Sequence, residues 1–227
     1  MPHIALPDAP GILAGMMFRP ETAKPLNDLA EVLLRGDSTL TRGERETIAA
    51  YVSQLNSCNF CHNSHATFAA LQLDGGWDLV DQVMADPDTA PISPKLRALL
   101  AIAALVQQSG RAVTPESVDA ARAEGATDVE VHDTVLIAAA FCMFNRYVDG
   151  LGTLAPPTRE AYAPMGQQIV EFGYAAAPPR APFPPLRARA ARAGSWTPSI
   201  APARTRSPAG SRPWASRSPR TSPAPPR

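Results

Sequence analysis

Cysteine is scarce in this 227-residue chain: Cys58, Cys61 and Cys142 are all there is. Three are too few for a disulfide scaffold, and a single Cys-x-x-Cys pair points to redox or metal chemistry in a reducing compartment. Long apolar runs are missing too. The longest, Val135 to Phe144, is about half the length a membrane-spanning helix needs. The N-terminus has no charged region followed by an apolar one, so no signal peptide is expected. These absences predict a soluble cytoplasmic protein with no membrane partner. Lysine and acidic residues are absent from Pro178 to Arg227, which holds ten arginines. The formal net charge of zero is therefore the sum of two unlike parts. With ten of the 21 basic residues in that tail, residues 1–177 keep eleven against 21 acidic ones, a formal charge of −10. An acidic body of this kind does not make a nucleic-acid surface, so nucleic acid is not an expected partner.

Alternating strand patterns between turn signals are also lacking, and what remains is helical. Residues 1–25 carry five prolines and read as an extended N-terminal arm with one short helical turn. Leu26, Leu29, Val32 and Leu33 share a face and predict a helix to Arg35, stopped by Gly36. Thr41 and Glu44 form a capping-box pattern that starts a helix to about Leu55. Asn56-Ser57 reads as a break and a new cap, with the next helix carrying Cys58, Cys61 and His65 to Leu71. A short helix over 78–85 follows. Ser93-Pro94 opens a helix that buries Leu96, Leu99, Leu100, Ile102, Ala103 and Val106. Thr114-Pro115 opens another, ending at Gly125. Thr127 and Glu130 repeat the capping box and begin a helix over 128–149. It is apolar on nearly all sides from Val135 to Phe144, which predicts a central position. A last helix is expected over 159–172. The expectation is an all-α domain over residues 26–177 with seven or eight helices. The Pro/Arg/Ala-rich segment 178–227 reads as disordered, because it has too little apolar area to offset its ordering entropy. A solvated tail without function, an out-of-frame end of a GC-rich gene and a basic anion-binding arm are its three readings, in that order.

Chemistry concentrates in Glu46 to His65. At 100° per residue, Cys58, Cys61 and His65 fall within about a 60° arc of one helix. Cysteines at i and i+3 are close enough to be bridged. Glu46, twelve residues before Cys58, would point about 120° away on a continuous helix. It joins the group only if the chain folds back at Asn56-Ser57. The carboxylate would then orient the imidazole, and the imidazole would take a thiol proton. A thiolate so made attacks the O–O bond of a peroxide and becomes a sulfenic acid, which the second cysteine condenses to a disulfide. A zinc site is the rival reading: Cys58, Cys61 and His65 or His62 supply three ligands where a closed structural site needs four. His65 as a core histidine and Glu46 as part of a solvated charged face with Arg42, Glu44 and Arg45 are the plainer alternatives. His62 points 100° off the cysteine face and reads as exposed or supporting. Cys142 reads as an inert buried thiol, and His3 and His132 as surface residues. Asn145-Arg146 lines the site, an interface or a helix end. Phe60, Phe68, Phe141 and Phe144 read as core.

The pattern Glu46-x11-Cys58-x2-Cys61-x3-His65 resembles the signature of the alkyl hydroperoxidase D-like proteins of the carboxymuconolactone decarboxylase superfamily. The resemblance covers roughly residues 26–152. Gly43 to Ala69 is similar to the branch called peroxidase-related, and Phe144-Asn145-Arg146 before Asp149-Gly150-Leu151-Gly152 adds to it. It implies an all-helical homo-oligomer and a thiol-dependent peroxidase without cofactor or metal. Cys61 is implied as the peroxidatic thiol, Cys58 as the resolving one in a redox-active disulfide, and Glu46 with His65 as the proton relay. A hydroperoxide and a dithiol or protein reductant are the implied partners. Phe60 departs from the family member that guides the mechanism, which has Tyr before the second cysteine. That departure keeps open a thiol–disulfide oxidoreductase or redox sensor with little peroxidase activity. A non-enzymatic, zinc-binding or structural helical oligomer is the third reading.

Overall fold

The three longest helices each begin where the sequence supplies a cap. In the computed structural model, which describes residues 1–175, nine α-helices are present among the described residues, and no strand. They are α1 (Ile12–Phe18), α2 (Ala23–Arg35), α3 (Arg42–Leu55), α4 (Asn59–Ala70), α5 (Gly76–Ala85), α6 (Pro94–Gln108), α7 (Pro115–Ala123), α8 (Asp128–Gly150) and α9 (Ala163–Phe172). Single 3₁₀ turns precede α2, α7 and α9. Thr41 and Glu44 form the expected capping box on α3, with Thr41 N–H donating to Glu44 at 2.8 Å and Glu44 N–H to Thr41 Oγ1 at 3.2 Å. Thr127 and Glu130 do the same on α8. Ser93 caps α6 and Thr114 caps α7, each followed by proline at the first helical position.

The helices close around α3, which packs against α2, α4, α5, α6 and α8. Leu34, Ile48, Val52, Leu99, Leu100, Ile102, Ile137 and Phe141 are fully buried between them. The six α6 residues expected to face inward are the six it buries. α8 is central in that it packs against α1, α2, α3, α4, α6 and α7, but it is not buried on all sides. Ile137, Ala138, Phe141 and Phe144 are buried, but Val129, Leu136 and Met143 on its other side are 61%, 38% and 45% exposed. The most enclosed helix is α3, whose Arg45, Glu46, Thr47 and Ser53 are all buried. None of the helices is long and apolar enough to cross a membrane among the described residues.

The first 25 residues are not an extended arm. Pro10-Gly11 starts the two-turn helix α1, and a 3₁₀ turn over Pro20–Thr22 leads into α2. Leu6, Ala9 and Ala14 make a small buried cluster of their own. His3 N–H donates to Leu151 O and Gly11 N–H to Leu154 O, tying the segment to the chain beyond α8. Gly11 has φ 51°, and a Cβ there would lie 2.1 Å from the Phe60 ring. Only glycine satisfies both the left-handed backbone and that approach. Prolines spread through a segment thus interrupt helices without excluding short ones. The reading of 178–227 lies outside the described residues.

Candidate active site

Glu46 reaches His65 because the chain reverses between α3 and α4. Ser57 takes a left-handed backbone, φ 58°, which costs a non-glycine residue about 1–2 kcal/mol. Side chains around it offset that strain. Asn56 Nδ2 donates to Asn145 Oδ1 at 2.8 Å, Asn145 Nδ2 to Ser53 Oγ at 3.0 Å, and Gln107 Nε2 to Asn56 Oδ1 at 2.9 Å. The turn is pinned from α6 and α8 at once. Asn145 is buried within this network, while Arg146 is exposed and donates to Cys142 O.

With the helices folded back, His65 Nδ1 lies 2.6 Å from Glu46 Oε2. Glu46 is 1% exposed, so it is no part of a solvated charged face. Its other oxygen, Oε1, accepts a hydrogen bond of 2.6 Å from the Tyr174 hydroxyl. Burial, then the Glu46 charge, push the Tyr174 phenol well above the ordinary tyrosine value, so it is a donor. A hydrogen bond donated from Nδ1–H to Glu46 leaves a neutral His65 with its Nε2 lone pair. The imidazole is wedged edge-on against Phe141 (centroids 4.5 Å) and Phe68 (5.1 Å).

Cys58 is not inside the helix that carries Cys61 and His65. It is the N-cap of α4, with an extended backbone (φ −84°, ψ 95°), and its carbonyl accepts from His62 N–H. Cys61 and His65 therefore share one helix as their spacing predicts, and Cys58 does not. The two thiols remain hydrogen-bonded neighbours, both free and both buried. That hydrogen bond with Cys61, followed by burial, raises the Cys58 thiol far above its ordinary range. Cys61 occupies the first turn of α4. Burial raises the Asp149 carboxyl, and a hydrogen bond accepted from the Cys58 thiol offsets part of that rise. Tyr162 packs beside the pair and against Phe60 (centroids 6.0 Å).

A cavity of about 60 Å³ opens onto Cys61 and His65. Its walls include Ile12 and Met16 of α1, Leu26 of α2, Phe144 of α8 and Tyr174. Phe60 and Phe141 line it too, so these core aromatics are also cavity wall. His62 is not exposed: its Nδ1–H donates to Ala50 O at 3.2 Å, and burial lowers its pKa. Cys142 is partly buried and 3.5 Å from Asn56 Nδ2. Among the described residues, no group of three or more His, Cys, Asp or Glu side chains is arranged to hold a metal ion. Tyr174 and Asp149 are the polar neighbours of the site that the Glu-Cys-Cys-His spacing did not indicate. The signal for Tyr174 was Gly173, a helix-ending glycine that redirects the chain just before it.

Residues 20–73, which hold Glu46, both cysteines and His65, match the Carboxymuconolactone decarboxylase family. An uncharacterized peroxidase-related protein from Ralstonia eutropha JMP134, described as an alkylhydroperoxidase AhpD core, is similar at 27% identity. The likeness covers 70% of this chain and 82% of that one, with a TM-score of 0.62. Both likenesses are to proteins of the alkyl hydroperoxidase D-like kind. The all-α fold of this chain is of that type. An uncharacterized peroxidase-related protein from Silicibacter sp. TM1040 shares the fold at 22% identity, covering 69% of this chain and 92% of that one, also with a TM-score of 0.62. No match is found among curated proteins.

Proposed function

We propose that the protein is a thiol-dependent peroxidase in which Cys61 attacks a hydroperoxide and Cys58 resolves the product. The observation that carries this reading is the 2.6 Å contact between His65 Nδ1 and buried Glu46, beside Cys61 on the wall of an apolar cavity. His65 Nε2 takes the Cys61 proton, and Glu46 stabilises the imidazolium. The thiolate attacks the distal peroxide oxygen and the O–O bond breaks. The alkoxide leaves with the imidazolium proton as an alcohol, and Cys61 is a sulfenic acid. The Cys58 sulfur then displaces hydroxide from Cys61, forming the disulfide; the thiol proton leaves with the hydroxide as water. A dithiol reductant returns both cysteines to thiols. The raised Cys58 thiol supports this division, since Cys58 keeps its proton while Cys61 reacts. No external cofactor enters this cycle.

The test is hydroperoxide consumption driven by a dithiol. Cys61→Ser is expected to abolish it, and Cys58→Ser to allow one turnover that stops at the sulfenic acid. Equal steady-state rates in wild type and Cys61→Ser would sink the reading. The alternative, a thiol–disulfide oxidoreductase, draws on Phe60, which offers no hydroxyl to a peroxide or a water. Faster oxidation of the pair by a small disulfide than by hydroperoxide would favour it.

A further inference from the structure

The segment after α9 is built into the candidate site. Gly173 has φ 83°, and a Cβ there would lie 2.5 Å from Glu31 Oε2. The chain turns there and drops Tyr174 over the cavity. Glu31 Oε2 accepts from Tyr174 N–H at 2.6 Å and from Ala175 N–H at 3.3 Å. Arg35, one turn along α2, donates to the α9 carbonyls of Ile169 (2.8 Å) and Val170 (3.2 Å), and its Nε lies 3.4 Å from Glu31 Oε1. Two residues of α2 thus clamp the end of α9. What the clamp holds in place is a hydroxyl 2.6 Å from Glu46 Oε1 and a ring stacked on His65, with centroids 6.2 Å apart and planes 17° apart.

From this arrangement we infer that Tyr174 is the positioning residue of the Glu46–His65 pair. The inference rests on the reading in which His65 takes the Cys61 proton. With Oε1 occupied by the Tyr174 hydroxyl, Glu46 offers only Oε2 to the imidazole. The stacked ring restricts rotation of His65, so Nε2 stays on the cavity side of a ring fixed at Nδ1. Taking the hydroxyl away removes one of two donors from a buried carboxylate, makes Glu46 more basic and strengthens its hold on the Nδ1 proton. The imidazole then becomes more basic in turn. The other charged or titratable groups facing the pair are Glu31 and Arg35 of α2, Arg45 of α3, and Cys61 and His62 of α4. α8 presents the Phe141 ring to the imidazole. A Tyr174→Phe substitution leaves all of these in place.

The experiment measures the rate of Cys61 alkylation by iodoacetamide against pH, resolved by mass spectrometry on the full chain. His65 ring-nitrogen chemical shifts are recorded alongside. In Tyr174→Phe the acid limb is expected to move up by about one pH unit, the equivalent of one hydrogen bond to a charged group. The His65 titration should move with it. Glu31→Gln loosens the clamp without touching the pair, and should move the limb in the same direction by less. A uniform rate loss with the limb in place would mean a merely structural role and overturn the proposal. Should Tyr174→Phe not fold, an unmoved limb in Glu31→Gln overturns it alone. Hydroperoxide consumption by the wild type is read separately. Its absence together with a shifted limb would sink the peroxidase reading and leave the positioning role standing.

Discussion

Glu46 is one carboxylate serving two donors, and its burial makes that geometry demanding. A glutamine there keeps one acceptor and brings a donor amide against either the Tyr174 hydroxyl or the His65 Nδ1 proton. Glu46→Gln is therefore expected to cost on the order of 1–3 kcal/mol of stability, the penalty for a buried polar group left unpaired. The same change should slow Cys61 alkylation at neutral pH by about 10²-fold, the lower range for loss of a positioned proton acceptor. Urea melts and alkylation rates measure the two effects; a slower reaction without any loss of stability would argue that Glu46 is not held as tightly as its contacts suggest. Sequence spacing brought Glu46 into the argument, but its charged neighbours Arg42, Glu44 and Arg45 made a solvated face an open alternative. Burial depends on what surrounds α3, and no local pattern carries that. Gly173 marks a turn before Tyr174, but not where that turn leads, because its partner Glu46 is 128 residues earlier in the chain.

At the scale of elements, the α3–α4 turn decides whether four reactive residues form one site. Its existence was legible, since Asn56 and Ser57 are turn formers between two apolar-faced segments. Its geometry was not. Cys58 was read into the helix because the i, i+3, i+7 arithmetic assumes helix throughout, whereas the left-handed Ser57 displaces the start of α4 to Asn59. The lock on the turn comes from α8, through Asn145. Asn145→Ala removes the acceptor of Asn56 Nδ2 and the donor to Ser53 Oγ, leaving both without that partner. We expect a loss of about 1–3 kcal/mol by the same unpaired-group penalty. We also expect a slower Cys61 reaction, because α4 is then less firmly held against α3. Arg146→Ala, next along α8 but exposed, should change neither; similar losses in both variants would mean that α8 acts by general packing and not through the Asn145 network.

At the scale of the whole molecule, apolarity overstated how much of α8 is buried. A helix apolar on nearly all sides reads as central, which α8 is, yet Val129, Leu136 and Met143, each seven residues from the next, form one exposed stripe. The homo-oligomer implied by the family resemblance remains a proposal, and this stripe is where we place its contact. Leu136→Glu with Met143→Glu should lower the mass found by sedimentation while far-ultraviolet dichroism stays unchanged. An unaltered mass would assign the contact elsewhere.

The same helix also sets how the fold responds to acid. Glu130, buried at the start of α8, would be raised by burial alone. Hydrogen bonds from Lys95 of α6 (2.7 Å), from the Thr127 backbone and from Thr39 pull it instead to about 2. A carboxylate depressed in the folded state stabilises the fold fully above its unfolded pKa of about 4.3, and the contribution is lost as pH falls from there toward the folded value. The shift corresponds to about 3 kcal/mol. It joins α6, α8 and the α2–α3 connection, so the whole helical core should feel its loss. Urea unfolding of wild type and Glu130→Gln should show a gap of that order at pH 7. The gap should narrow below about pH 4.3 and nearly close by about pH 2. A gap independent of pH would mean that the substituted amide disturbs packing and that the ionised contact contributes little.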